Sequence, residues 1–316
     1  MGTPGFAALI LDALLTWPQG RVLAAYTQPD RPKGRGRKET ASDVKKLASA
    51  RGIPVLQPVS FKDPKDVAEL AALEPDVICV AAYGLILPQQ VLDIPKLCCV
   101  NVHASLLPQL RGAAPIQRAI LAGNKATGIT IMRMDKGLDT GDIMLQTALA
   151  IGIDDTASTL HDELADLGGR MLVRALGQLH DGSATFQPQN HERATYAAKL
   201  SKDEAPIDWN RPALDVHNHI RAMHPWPGAT TNLRLPDQSE PLIVTILPGT
   251  IGPHLSEPTE PGAVLGFDET HLRIACADRE YLISNLCPQC RKTQDAASFY
   301  NGYLHSCGCK GLRLSC

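Results

Sequence analysis

Asn101 and His103 stand two residues apart at the end of the apolar run CCV (98–100). On a strand, positions i and i+2 share a face. An imidazole moves protons near neutral pH, and a carboxamide N–H can donate to a developing oxyanion. These are residue types suited to acyl transfer. A carboxylate near the ring would hold its tautomer and favour its charged form. The Gly-punctuated stretch MDKGLDTGDI (134–143) offers Asp135, Asp139 and Asp142. Acids in such a loop also serve as turn formers, and spacing does not choose among the three. Ser105 adds a Ser/His/Asp reading. It lacks a G-x-S-x-G elbow, however, and leads into LLP rather than a helix start.

Elements must bring these groups together. RVLAAYT (21–27), DVICVAA (76–82) and CCVNVH (98–103) read as strands, the last two without alternation, as covered strands should be. SDVKKLASARG (42–52), DPKDVAELAALEP (63–75) and AAPIQRAILAG (113–123) read as helices from their caps and stops. TGITIMRM (127–134) and DIMLQTALA (142–150) are strands flanking the acidic turn, and 155–179 is a long amphipathic helix or helix pair. Strands alternating with helices predict a mostly parallel α/β sheet over residues 1–185. The C-terminal edge of such a sheet would carry Asn101 and His103 into a ligand crevice. A polar linker spans 186–206. Residues 207–316 hold Pro/Gly-rich turns between short apolar runs, which predicts a β-rich domain, a small barrel.

The chain has 316 residues, 44% hydrophobic and 20% charged, which suits two globular domains. No run of about 18 uncharged apolar residues suggests a membrane span. The first fifteen residues lack a basic n-region and contain Asp12, so they are a poor secretory signal. Nine cysteines, an odd number, then argue for a reducing, cytoplasmic setting. C-x-x-C at Cys287 and Cys290, followed by C-x-C at Cys307 and Cys309, has the donors for a structural zinc; incidental free thiols are the plainer reading. Net charge is −2, yet residues 29–46 hold seven cations against three acids. From charge alone this is a solvated basic loop, although one able to attract a polyanion.

The segments VNVHASLLPQLRGAAPIQRAILAGN (100–124) and GITIMRMDKGLDTGDIML (128–145) closely resemble the methionyl-tRNA formyltransferase family. The resemblance extends to GTPGFA (2–7), TQPDRPKGRGRK (27–38), AAYGLILP (81–88), YAAKLSKDEAPIDW (196–209) and RAMHPWPGA (221–229). It implies a Rossmann-like catalytic domain followed by a small OB-like β-barrel that contacts tRNA. It implies that Asn101, His103 and Asp139 are the catalytic trio. Ser105, Leu106, Leu107 and Pro108, with Tyr83, Gly84, Leu85, Ile86 and Leu87 nearby, would hold 10-formyltetrahydrofolate. Lys33, Arg35, Arg37 and Lys38 would grip the acceptor end of initiator methionyl-tRNA, which overturns the plain reading of the basic loop. Two features depart from the family pattern. The family carries a short strand before the G-T-P turn, whereas Met1 here directly precedes Gly2, so the 21–27 strand is expected to be short of a neighbour. The paired cysteines of the tail are the second departure. Competing readings are a formyltransferase for a small amine, a silent tRNA-binding protein and a serine hydrolase.

Overall fold

The computed structural model describes residues 1–33, 38–236, 239–305 and 311–316. The chain divides into two compact units. The first comprises residues 1–115, 126–150 and 161–198, and the second residues 116–125, 151–160 and 199–316.

In the first unit, strand Val77–Val80 lies parallel to Cys98–His103, with Val80 opposite Asn101. Ala126–Arg133 then pairs antiparallel with Cys98–His103, and Ile143–Ala150 pairs antiparallel with Ala126–Arg133. The sheet is therefore mixed, not mostly parallel. The cause is the connection 104–125. It starts at His103, and the next strand sets Thr130 opposite His103, so the chain turns back at the same end of the sheet. Hydrophobic periodicity reports which face is buried and is blind to direction.

The strand read at 21–27 shrinks to Ala25–Tyr26, paired parallel with Val55–Leu56 in a separate two-stranded sheet. Between the two sheets stand Met1 and Gly2. Gly2 donates its N–H to Tyr26 O at 2.9 Å, and Ala81 N–H donates to Met1 O at 2.9 Å. Beside them is a cavity of about 680 Å³, bordered by Leu11, Leu14, Val22, Leu70, Val77 and Leu172. Among the described residues, 21–24 have no pairing partner on this side. Residues Gly5–Leu15 form a helix that the sequence reading did not assign. Its apolar residues run all round, so no amphipathic period marks it.

The helices over residues 43–71 form where their caps place them. Ser42 accepts from Lys45 N–H at 3.0 Å ahead of Asp43–Ala50, and Asp63 accepts from Lys65 N–H ahead of Pro64–Ala71. Helix Ala157–His180 carries Gly168, where an added Cβ would lie 2.9 Å from Val102 Cγ1. That close approach buries Val100 and Val102 on one face of the Cys98–His103 strand. Asn101 and His103 are left on the other.

The second unit contains helix Ala213–Met223 and two antiparallel sheets, one of five strands and one of four. No closed barrel forms among the described residues. Closure needs a continuous ladder between edges, whereas here the isolated bridge Ala263–Arg313 is what joins the two sheets. Helix Ala213–Met223 is held by buried polar groups. Arg221 donates to Gly152 O and Asp155 O at 3.1 and 2.7 Å. His217 donates through Nε2 to Ile153 O at 2.8 Å, and its Nδ1 faces the Tyr281 hydroxyl at 3.2 Å. Burial pushes the His217 pKa below its ordinary 6.5, aided by the Arg221 charge and opposed by the Ile153 bond and Asp154. A histidine depressed in the folded state contributes full stability above its unfolded pKa and loses it as pH falls through that value. Unfolding free energy is expected to fall on acidification below about pH 6.5 by up to about 1.4 kcal/mol per pH unit from this residue, and the thermal midpoint to drop with it. Thermal scans of wild type and His217→Gln check this, since an unchanged slope in the variant would assign the effect elsewhere.

Candidate active site

Strands Val77–Val80 and Cys98–His103 are parallel neighbours, so the segments that follow them, 81–88 and 104–114, leave from the same edge of the sheet. Asn101 and His103 are 9% and 5% exposed at that edge. His103 Nε2 donates to Leu110 O at 2.9 Å. A carbonyl only accepts, so this nitrogen carries a proton and Nδ1 is the nitrogen left to exchange one. Nδ1 lies 3.6 Å from Asp139 Oδ2, just beyond hydrogen-bond range.

The three acids of the turn have separate tasks. Asp135 accepts from Gly137 N–H and the Thr140 hydroxyl at 2.9 and 2.6 Å and so shapes the turn. Asp142 pairs with Arg133. Asp139 is the one that faces His103. Its Oδ2 also accepts from Gly112 N–H at 2.8 Å, and its Oδ1 lies 3.4 Å from Asn101 Nδ2. Asn101, His103 and Asp139 therefore share one small site. Asp139 has φ +52°, a left-handed conformation unusual outside glycine.

The SLLP loop is held by groups that the sequence reading did not single out. Thr130 Oγ1 donates to Ser105 O at 2.7 Å and accepts from Leu107 N–H at 3.2 Å. Gln146 donates to Leu107 O and to Thr130 Oγ1. Ser105 is 1% exposed, and its hydroxyl donates to Gln109 O at 2.6 Å. Among the described residues the Ser105 hydroxyl is engaged by a carbonyl rather than a base, while His103 is engaged by Leu110 and faces Asp139, which argues against the hydrolase reading. Leu107 is buried, and Leu106 and Pro108 are half-buried.

In the 81–88 segment, Tyr83 and Leu87 are buried in a cluster with Phe61, Ile78 and Val91, and Leu85 packs against it. Ile86 is 91% exposed. This segment thus offers a ligand its backbone, Gly84 and the Ile86 side chain, while Tyr83 and Leu87 secure it to the core.

Part of the basic loop is a hairpin, with Arg31–Lys33 antiparallel to Lys38–Thr40. Lys33 and Lys38 are strand positions in it; Arg35 and Arg37 lie outside the described residues. Of the tail thiols, Cys287 is half-buried, with Sγ 3.4 Å from Arg291 O, and Cys290 is exposed with φ +62°. Cys307 and Cys309 lie outside the described residues. Among the described residues, no three His, Cys, Asp or Glu side chains gather as a metal site, and no helix is long and apolar enough to cross a membrane.

A formyl transferase family model matches residues 1–176, and a model of the formyl transferase C-terminal domain matches residues 199–304. The chain is thus a formyl transferase over most of its length. A methionyl-tRNA formyltransferase of Nitratidesulfovibrio vulgaris (strain Hildenborough) is 50% identical over 307 residues, 97% of this chain and 93% of that one. One from Pseudomonas entomophila is 49% identical over 285 residues, covering 90% and 89%. The chain belongs to the methionyl-tRNA formyltransferase family. Among solved structures, an N-formyltransferase from Helicobacter canadensis in complex with folinic acid and dTDP-3-aminofucose matches with TM-score 0.62 at 20% identity, covering 89% of this chain and 96% of that one. HypX from Aquifex aeolicus in complex with tetrahydrofolic acid matches with TM-score 0.58 at 18% identity, covering 84% and 44%. These two likenesses concern the fold.

Proposed function

We propose that this chain transfers the formyl group of 10-formyltetrahydrofolate to the α-amino group of initiator methionyl-tRNA in the cytoplasm. The observation that carries the site assignment is that Asp139, alone of the three turn acids, faces His103 beside Asn101. The amine nitrogen attacks the formyl carbon, the carbon–N10 bond breaks, and one proton passes from the amine to N10. A neutral amine is already nucleophilic, so no Ser or Cys intermediate is required. Among the described residues Asn101 Nδ2 makes a long 3.4 Å contact to Asp139, which it can give up to turn to the tetrahedral oxyanion. His103 Nδ1 and Asp139 Oδ2 attract each other strongly only with a proton between them, so the pair can hold the proton leaving the amine. In this reading the folate lies between the 81–88 segment and the 105–108 turn, where exposed Ile86 and half-buried Leu106 present apolar surface to a flat ring. No step runs through a metal.

The cation-rich sequence around the paired strands Arg31–Lys33 and Lys38–Thr40 supports tRNA over a small amine as acceptor, because a run of cations suits a phosphate backbone. The C-terminal unit is assigned further tRNA contacts. The deciding assay supplies 10-formyltetrahydrofolate with methionylated initiator or elongator tRNA; absence of formylmethionyl-tRNA refutes the reading. Within it, Arg35→Ala is expected to raise the KM for tRNA by about 10- to 100-fold, the range of one stacked or phosphate-bound cation, while folate affinity stays as it was. Equal loss for both substrates would remove Arg35 from this role.

A further inference from the structure

Arg111 and Gln189 are 2% and 5% exposed. Neither faces the reacting groups directly. Arg111 is a buried guanidinium whose described partners are an amide and an imidazole: Nε and Nη2 donate to Gln189 Oε1 at 3.2 and 2.7 Å, and Nη2 approaches His191 Nδ1 at 3.1 Å. Gln189 passes this on. Its Nε2 donates to Asp139 O at 2.9 Å and to Gly141 O at 2.7 Å. Both N–H groups and the carbonyl of the amide are thereby used, and a flipped amide would set its oxygen against two carbonyls. A charged donor on the oxygen polarises the amide and strengthens its two donated bonds.

The chain neighbour of Arg111 closes the arrangement. Gly112 N–H binds the Asp139 carboxylate at 2.8 Å. Residues 111 and 112 therefore hold Asp139 at two points, the carboxylate through a backbone N–H and the carbonyl through Gln189. Asp139 sits at φ +52°, a conformation that surrounding bonds must maintain. We infer that Gln189, braced by Arg111, is a positioning residue that fixes the Asp139 backbone so that its carboxylate faces His103. This inference rests on the proposed role of Asp139.

The test is Gln189→Glu in the full-length chain, made both in wild type and in Asp139→Ala, with formyl transfer measured under saturating and limiting substrates. Glutamate keeps the shape and gains an ion pair with Arg111, so the buried cation keeps a partner. It loses the two N–H donors to residues 139 and 141. The expected loss in kcat is ~10- to 100-fold, the size that supports of a reacting group and ångström-scale misplacement produce. KM for both substrates is expected to stay within about twofold, since nothing that binds them has changed. In the Asp139→Ala background the same substitution should have little further effect, because two residues acting through one group are not additive. A Gln189→Glu enzyme with wild-type kcat, while Asp139→Ala is impaired, overturns the inference. So does an equal loss in both backgrounds, which would mark Gln189 as structural only. If Asp139→Ala itself is near wild type, the assignment of Asp139 fails first and the inference goes with it.

Discussion

Asp139→Asn is expected to lower kcat for formyl transfer by roughly 100- to 10,000-fold, the range of a lost general acid–base group. Asparagine retains size and still offers an oxygen to Gly112 N–H, which lies 2.8 Å from the carboxylate in the parent. What it lacks is the negative charge that can share a proton with His103 Nδ1. Because that proton moves only as the amine attacks, kcat and kcat/KM should fall together. Asn101→Ala is expected to cost ~100- to 1000-fold, the range for one oxyanion donor. Two controls make the prediction specific. Asp135 is spent on the turn through Gly137 and Thr140, and Asp142 on Arg133. Asp135→Asn and Asp142→Asn should therefore remain within about tenfold of wild type, losing turn order rather than chemistry. Steady-state rates of the variants decide the matter. If Asp139→Asn retains near-wild-type kcat, or if Asp135→Asn is as impaired, Asp139 is not the acid of this site.

This sorting of acids also marks the limit of what the sequence could reveal. Asn101 and His103 were legible because a strand repeats every two residues and CCV announces the strand. Their shared face and their place at the sheet edge follow from local rules. Choosing among Asp135, Asp139 and Asp142 needed the resemblance to known enzymes, since the choice depends on which loop N–H groups, hydroxyls and cations each meets. Gln189 and Arg111 were invisible for a related reason. They stand 78 positions apart and meet only when the chain has folded. Tyr83 and Leu87 are the converse case: they lie inside a motif that points to ligand binding, yet their side chains belong to the core. The direction of strand Ala126–Arg133 was illegible as well, because reversing a strand leaves its alternation unchanged.

Gly112→Ala is expected to impair the enzyme twice, and the two losses can be measured separately. Gly112 has φ +115°, a region that L side chains rarely adopt, and an added Cβ would stand 2.9 Å from Ala197 O. That oxygen cannot swing aside. It accepts from Ala113 and Ala114 N–H at 2.9 and 3.2 Å, in the ladder that pairs Arg111–Gly112 with Tyr196–Ala197. The backbone at 112 must shift instead, at about 1–3 kcal/mol for the conformation alone. For a chain of this size that lowers the thermal midpoint by a few degrees. The same shift turns the 112 N–H away from Asp139 Oδ2, so kcat should fall by a further ~10- to 100-fold through misplacement of the carboxylate. Gly52→Ala is the control. Gly52 has φ +68° with nothing within 4 Å of the added methyl, so it shares the handedness penalty of about 1–2 kcal/mol without clash or carboxylate. Thermal scans should then show both variants destabilised, while only Gly112→Ala loses turnover in the temperature range where it is folded. Full turnover in folded Gly112→Ala would mean that the 112 N–H does not hold the Asp139 carboxylate in place for the reaction.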